Sequence, residues 1–179
     1  MQLRRRQLPL FLSVLATLFL LGFGAFAEDG WRETGSGIRV KTEVFVDVNV
    51  YRITHSVKGD VADKSKAGII KADVDKKFVW KMMRDVDKEK VQQTARDAFA
   101  LNGYSNKGNI DKYVGAFADL KENAKITIKY DSSKKATTIS VTGGGTATID
   151  GVDFMQAVWS VWFGKIDQPA IGDQLIARL

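Results

Sequence analysis

Alternation of hydrophobic and polar residues predicts a long strand early in the chain. From Gly35 to Ile53, every even position between 38 and 50 is β-branched, whereas the odd positions are mostly polar. Period-two alternation is typical of a strand with two unlike faces, so the even face is expected to pack on the core. Arg39, Phe45 and Tyr51 stand on the odd face, and large side chains there need a helix or a ligand to cover them.

The remaining pattern predicts an alternation of helices and strands. Asp87 is expected to cap a helix that stops at Gly103, and a further helix is expected to open at Asn109. The other predicted elements are a short helix at 63–72, strands at 76–84, 124–131, 136–142 and 143–151, and helices at 153–164 and 168–179. Consecutive hairpin-like strands favour an antiparallel sheet with helices packed on it, so the fold class is predicted as α+β.

The first residues have the pattern of a secretory signal peptide. Arg4, Arg5 and Arg6 precede an apolar run over 8–21, and 25–27 form a small-x-small cleavage site. We therefore expect residues 1–27 to be a signal peptide, residues 28–179 to form one domain, and the protein to be periplasmic. An uncleaved membrane anchor is the alternative, but the apolar run is shorter than the ~20 residues that a membrane span needs. No stable membrane anchor is expected after cleavage.

Composition excludes several kinds of function. The chain has one histidine, His55, and no cysteine, so metal sites built from these residues are excluded and no metal is expected. A Ser-His-Asp site would have to use His55, and the chain has no GxSxG elbow to offer the serine. The formal net charge of +6 falls to +3 without the three leader arginines, which gives no argument for a nucleic-acid partner. No cofactor is expected.

Two tryptophans near the end of the chain have two interpretations. Trp159 and Trp162 are three residues apart on the predicted helix at 153–164, so they share a face. The first interpretation is core packing. The second is an aromatic wall of an apolar pocket.

Three stretches, taken in order, carry a resemblance to a known family. They read "GSGIRVKTEVFVDVNVY", "RDVDKEKV" and "GVDFMQAVWSVWFGKIDQP". Together they resemble the chalcone isomerase-like family, and more narrowly its exported bacterial branch, over residues 35–179. The resemblance implies an open-faced β-sandwich, in which helices cover one face of a large antiparallel sheet and a ligand cleft lies between the two layers.

The resemblance also implies positions in that cleft. The family's strand arginine corresponds to Arg39. Tyr51 stands where the isomerases have a threonine and where the fatty-acid-binding branch has a tyrosine, and in that branch the arginine and tyrosine hold the ligand carboxylate. Their even separation places Arg39 and Tyr51 on one face of an unbroken strand, although a bulge would remove that argument.

The positions of the isomerase's other cleft residues have changed here. The isomerase's cleft tyrosine corresponds to Asp87 and its cleft asparagine to Thr94, while its Thr-Met pair corresponds to Val161 and Trp162. No catalytic residue is therefore predicted. The predicted ligand-binding residues are Arg39, Tyr51, Thr94 and Trp162.

The function predicted from these positions is a periplasmic, non-catalytic binder of a small acidic amphipathic ligand such as a fatty acid. One alternative is a chalcone-flavanone-type isomerase, an intramolecular lyase whose enolate Arg39 could stabilise. Another is a protein-interaction domain in which Phe45, Met155 and Trp162 fill a vestigial cleft.

Overall fold

The structure is a computed structural model, and it describes residues 30–43 and 46–179. The predicted signal peptide lies outside the described residues, and so do Val44 and Phe45. Among the helices that are described, none has the length and apolar character needed to cross a membrane.

One antiparallel sheet of six strands, in sequence order, forms the first layer of the described residues. The strands are β1 (Arg32–Glu43), β2 (Val46–Val57), β3 (Lys76–Met82), β4 (Lys125–Asp131), β5 (Ala136–Val141) and β6 (Thr146–Asp150). The helices are α1 (Lys66–Lys71), α2 (Lys88–Leu101), α3 (Lys107–Val114), α4 (Val152–Phe163) and α5 (Ala170–Leu175). This arrangement confirms the predicted α+β class and the open-faced sandwich.

The predicted first strand is in fact two strands. β1 ends at Glu43 and β2 begins at Val46, and the two pair antiparallel. The prediction of one strand was wrong because the segment from Glu43 to Val46 contains no glycine, proline or asparagine to mark a chain reversal. Period-two alternation continues on both sides of the reversal and hides it.

The even face of this region is not the buried face, which corrects a second expectation. On β2 the odd residues Ile53, His55 and Val57 are buried, whereas the even residue Val46 is 62% exposed. β-Branched side chains suit a strand on either face, so their alternation does not identify the side that the helices cover.

Helix α4 packs on the centre of the sheet. Period-two alternation places Phe78, Trp80 and Met82 on one side of β3, and all three are buried. The ring of Phe78 lies 5.0 Å from that of Trp159 and 4.6 Å from that of Trp162, measured between centroids. Both tryptophans therefore belong to the core, and replacing such an aromatic residue by alanine typically costs about 3–5 kcal/mol.

The starts of α2, α3, α4 and α5 agree with the sequence pattern to within two residues, whereas α1 begins at Lys66, three residues after the predicted start at 63. Asp87 is the N-cap residue of α2, although its side chain makes no capping hydrogen bond. Gly103, with a φ of 78°, follows the end of α2, where a left-handed conformation favours glycine. α3 begins at Lys107 rather than at Asn109, because the Asn106 side chain accepts a hydrogen bond from the backbone N–H of Asn109.

Candidate ligand cleft

A cleft lies between helix α2 and the part of the sheet formed by β1, β2 and β3. It has two lobes, of about 200 and about 270 Å3. The first lobe reaches the start of α2 at Asp87, and the second reaches the end of α4 at Trp162. The residues shared by both lobes are Arg39, Lys41, Tyr51, Trp80, Val91 and Thr94.

The walls of the cleft are largely aromatic and aliphatic. The ring of Tyr51 stacks on that of Trp80 with centroids 4.8 Å apart and an angle of 9° between the planes. Phe117 and Trp162 contact the same indole at 6.2 and 5.2 Å. Leu120 lines the first lobe. These contacts fix the rings in place, so the cleft is a preformed apolar surface.

Arg39 and Tyr51 lie on the same face of the sheet, but not for the predicted reason. They are directly opposite each other in the β1–β2 hairpin. Opposite residues of an antiparallel pair point to the same side. The register shift between Arg39 and Val40 is a bulge, which would have broken the argument from an unbroken strand.

The guanidinium of Arg39 is held by the segment between α4 and α5. Nη2 donates to Asp167 Oδ1 at 2.5 Å, and Nη1 donates to Gln168 Oε1 at 3.1 Å and to the carbonyl of Val40 at 3.0 Å. The Arg39 side chain is 11% exposed and that of Asp167 is 65% exposed. A carboxylate of the chain itself therefore occupies one anion position on Arg39.

Gln168 is bonded to the backbone of β1 through its side-chain amide. Its Oε1 accepts from the N–H of Val40, and its Nε2 donates to the carbonyl of Ile38, both at 3.0 Å. β1 is an edge strand, so the amide takes the place of a neighbouring peptide unit at the bulge. Sequence reasoning missed Asp167 and Gln168 because no local pattern indicates contacts across 128 and 129 residues.

The phenol O–H of Tyr51 is available to donate a hydrogen bond. Its oxygen accepts from Trp162 Nε1 at 3.2 Å, and among the described residues its own O–H has no acceptor. Burial raises the pKa of Tyr51, and the bond from Trp162 and the charge of Arg39 only partly oppose that shift. The phenol is thus protonated at neutral pH and can donate to a ligand in the cleft.

Thr94 and Trp162 complete the predicted set, and all four residues line the second lobe. Thr94 is exposed on α2, and its hydroxyl donates to the carbonyl of Lys90 at 2.8 Å. Trp162 is 2% exposed, and its Nε1 donates a hydrogen bond to the phenol oxygen of Tyr51. The structure brings the four residues together. That they bind a ligand stays a prediction.

Comparison with known proteins gives the family. A model of the chalcone isomerase-like family matches residues 33–173. The chain belongs to the chalcone isomerase-like family. Comparison with curated protein sequences gave no match.

Among solved structures, this chalcone isomerase-like chain is similar to a fatty-acid binding protein of Arabidopsis thaliana. The TM-score is 0.66, the sequence identity is 14%, and the match covers 84% of this chain and 89% of that chain. At this identity the likeness shows the fold. Membership of the exported bacterial branch stays a prediction.

The altered isomerase positions surround the cleft of the chalcone isomerase-like domain. Asp87 lines the first lobe, Val161 the second, and Thr94 both. The assignment of these positions by resemblance is therefore consistent with the geometry. Their side chains differ from the tyrosine, asparagine and threonine that the resemblance implies for an isomerase.

His55 lies in the core of the chalcone isomerase-like domain and does not line either lobe of the cleft. Its Nδ1–H donates to Thr34 Oγ1 at 2.6 Å, and its Nε2 accepts from Trp159 Nε1 at 3.0 Å. The Thr34 hydroxyl donates onward to the carbonyl of Leu175 at 2.7 Å. Burial, with the charge of Lys76, lowers the pKa of His55 to about 3. The ring is neutral at physiological pH and joins α4 and α5 to the sheet.

Proposed function

We propose that this protein is a non-catalytic binder of a small acidic amphipathic ligand, such as a fatty acid. The observation that carries the proposal is an apolar cleft in which Arg39 and Tyr51 lie opposite each other on one wall. An arginine fork matches a carboxylate, and a phenol adds a donor. The name of the Arabidopsis thaliana neighbour is consistent with a ligand of this class.

The size of the cleft suits an elongated ligand. The lobes, at about 200 and about 270 Å3, are each smaller than the ~300 Å3 at the lower end of small-molecule sites. They share a wall at Arg39 and Tyr51, so a single ligand can fill both. Burial of its hydrocarbon part against Trp80 and Phe117 supplies the apolar contribution to affinity.

Binding of an acid at Arg39 proceeds by carboxylate exchange. The ligand carboxylate replaces that of Asp167 on the guanidinium, so Arg39 keeps an anionic partner throughout. Asp167 is 65% exposed and can turn into water without burying its charge. The free O–H of Tyr51 then donates a hydrogen bond to the second oxygen of the ligand carboxylate. Asp167 receives no such hydrogen bond from Tyr51.

The proposal is tested by calorimetric titration of a fatty acid. Arg39→Met keeps the bulk and removes a charge-assisted bond of roughly 1.5–3 kcal/mol, so affinity should fall about tenfold to a hundredfold. Tyr51→Phe should weaken binding less because only one neutral hydrogen bond is lost. Arg52→Met is the matched control, since Arg52 lies on the adjacent position of β2 and points to the opposite face.

Circular dichroism serves as the folding control for all three variants. Equal affinities in wild type, Arg39→Met and Tyr51→Phe would overturn the proposed site. Unfolding of Arg39→Met alone would instead make the arginine a structural group that anchors Asp167 and Gln168.

The isomerase alternative is tested by chalcone turnover, which we expect not to exceed the uncatalysed rate. An isomerase needs an enolate stabiliser and a positioned water. Here the Thr94 hydroxyl is bonded to a backbone carbonyl and the charge of Arg39 is offset by Asp167. Stereoselective flavanone formation in a stopped assay would contradict the non-catalytic part of the proposal.

We also propose that the protein acts in the periplasm. The support is the leader pattern of residues 1–27, with its arginines, apolar run and cleavage site. A ligand binder in that compartment would collect or carry its ligand outside the cytoplasm. Native mass spectrometry of protein from the periplasmic fraction would identify a co-purified acid.

A further inference from the structure

The face of the sheet opposite the helices is strongly basic. The side chains of β3 and β4 alternate, so their even residues are buried and their odd residues lie on the outer face. Its basic residues on β2, β3 and β4 are Arg52, Lys77, Lys81, Lys125 and Lys129. We call this surface the basic face.

Like charges stand directly opposite one another across the basic face. Arg52 pairs with Lys81, which pairs with Lys125, so one row crosses three strands as an uninterrupted line of cations. A second pair, Lys77 and Lys129, lies four residues along. Opposite residues have Cβ atoms only about 4.5–5.5 Å apart, and like charges there are destabilising.

Across β2, β3, β4 and β5, the two basic rows and the row between them contain no acidic residue, and the outward-facing Asp131 lies beyond them at the end of β4. The row between the two basic rows reads Thr54, Val79, Thr127 and Ser140, which are all neutral. At the end of β4, Asp131 is paired with Lys134 at 3.1 Å. Folding alone does not explain a sheet surface that breaks a local stability rule, and such places commonly serve a function.

Trp31 holds part of the basic face together. The ammonium groups of Lys77, Lys58 and Lys129 lie 4.4, 5.4 and 5.8 Å from the centroid of its ring. Cation–π contacts of this kind hold lysines on the surface of the sheet through the face of a neutral ring. Thr127 lies between the two basic rows and Thr138 lies beside Lys129, so the face can offer both charge and hydrogen bonds.

We propose that the basic face docks on the surface of a membrane that contains anionic phospholipids. A sheet presents its cations in one broad layer, and a bilayer presents its phosphates in one layer too, so several contacts form at once. Among the described residues, no outward-facing position of β2 to β5 is aromatic, and the ring of Trp31 on this face is occupied by the ammonium groups of three lysines, so nucleic-acid bases have no open ring to stack on. The cleft is on the other side of the sheet and stays open when the protein is docked.

The test is co-sedimentation with vesicles at low salt. Wild-type protein should bind phosphatidylcholine vesicles that contain one third phosphatidylglycerol, and should not bind vesicles of phosphatidylcholine alone. The double variant Lys81→Gln/Lys125→Gln should bind the anionic vesicles about thirtyfold more weakly, because each basic residue near the surface contributes about fivefold. High salt should release the wild-type protein.

A matched control removes the same charge from the helical layer. Lys71→Gln/Lys112→Gln changes two exposed lysines on α1 and α3 and should keep wild-type binding. Because Lys81→Gln/Lys125→Gln relieves like-charge repulsion, it should unfold at the same temperature as wild type or higher, so lost binding cannot reflect lost structure.

Three results would overturn the proposal. They are failure of the wild type to bind anionic vesicles at low salt, equal binding by the two double variants, and binding to duplex DNA that depends on Lys81 and Lys125 without binding to vesicles. The last would assign the basic face to nucleic acid. None of these results depends on what the cleft binds.

Discussion

Both ring nitrogens of His55 are bonded inside the core, so protonation of the ring is costly. The Nε2 atom that would take the proton accepts from Trp159 and lies in a buried aromatic cluster. The folded-state pKa of about 3 lies below the ordinary value of 6.5. As pH falls below 6.5, the unfolded chain therefore binds a proton that the folded chain does not, and stability falls.

Acid should destabilise the protein between pH 6.5 and pH 4.5 through His55. The slope should approach about 1.4 kcal/mol per pH unit at most. The measurement is urea unfolding across this range. Lys76, whose pKa is lowered by burial to about 7, is largely protonated there in both states and contributes little to the slope. The carboxyl pKa values of Asp73 and Asp131 are lowered, so the stability that these carboxylates contribute is lost mainly below this pH range.

The control for this prediction is His55→Asn. Asparagine keeps a donor for Thr34 but does not titrate, so the variant should be less stable overall and its stability should vary less with pH. An unchanged slope would assign the acid sensitivity to other groups.

At the scale of elements, the segment between α4 and α5 acts as a wall of the cleft. Gln168 ties it to the edge strand β1, and Asp167 faces the guanidinium of Arg39. The same segment therefore orients the arginine and competes for it. The ion pair between Asp167 and Arg39 is partly exposed, and such pairs are weak. We therefore expect the competition of Asp167 for the guanidinium to outweigh its orienting effect.

Asp167→Asn should raise affinity for a fatty acid. The variant removes the competing carboxylate but keeps the shape of the side chain, so affinity should rise by up to about fivefold. Calorimetry checks this against Asp173→Asn, which breaks the ion pair of Asp173 with Lys66 outside the cleft and should leave affinity unchanged. Lower affinity in Asp167→Asn would mean that the carboxylate mainly serves to orient Arg39.

At the scale of the whole molecule, the sheet separates two unlike surfaces. One face carries the helices and an apolar cleft, and the other carries the basic face. Helices packed on one side leave the other side exposed, so a single sheet can bind a small ligand and contact a large surface independently.

The leader should be removed after Ala27. The small-x-small sequence directly before Glu28 is the basis for this expectation. N-terminal sequencing of exported protein should begin at Glu28. Recovery of a chain that still begins at Met1 from the membrane fraction would contradict it.

The sequence by itself determined most elements and several buried faces. Alternation in β3 and β4 agrees with the buried side of each strand, because a side chain's direction follows from local backbone geometry. The family resemblance identified Arg39 and Tyr51 as cleft positions. The prediction that the β-branched face of the first strands packs on the core was wrong, because the alternation is the same whichever face the helices cover.

Only the tertiary structure decided which residues meet. The hairpin places Arg39 opposite Tyr51, and the α4–α5 segment brings Asp167 onto Arg39 from 128 residues away. The rows of like charge on the basic face exist only once strand register is set, because Lys81 and Lys125 are far apart in the chain and opposite each other in the sheet. Contacts of this kind are fixed by strand pairing and helix packing, which depend on the whole core and leave no local pattern in the sequence.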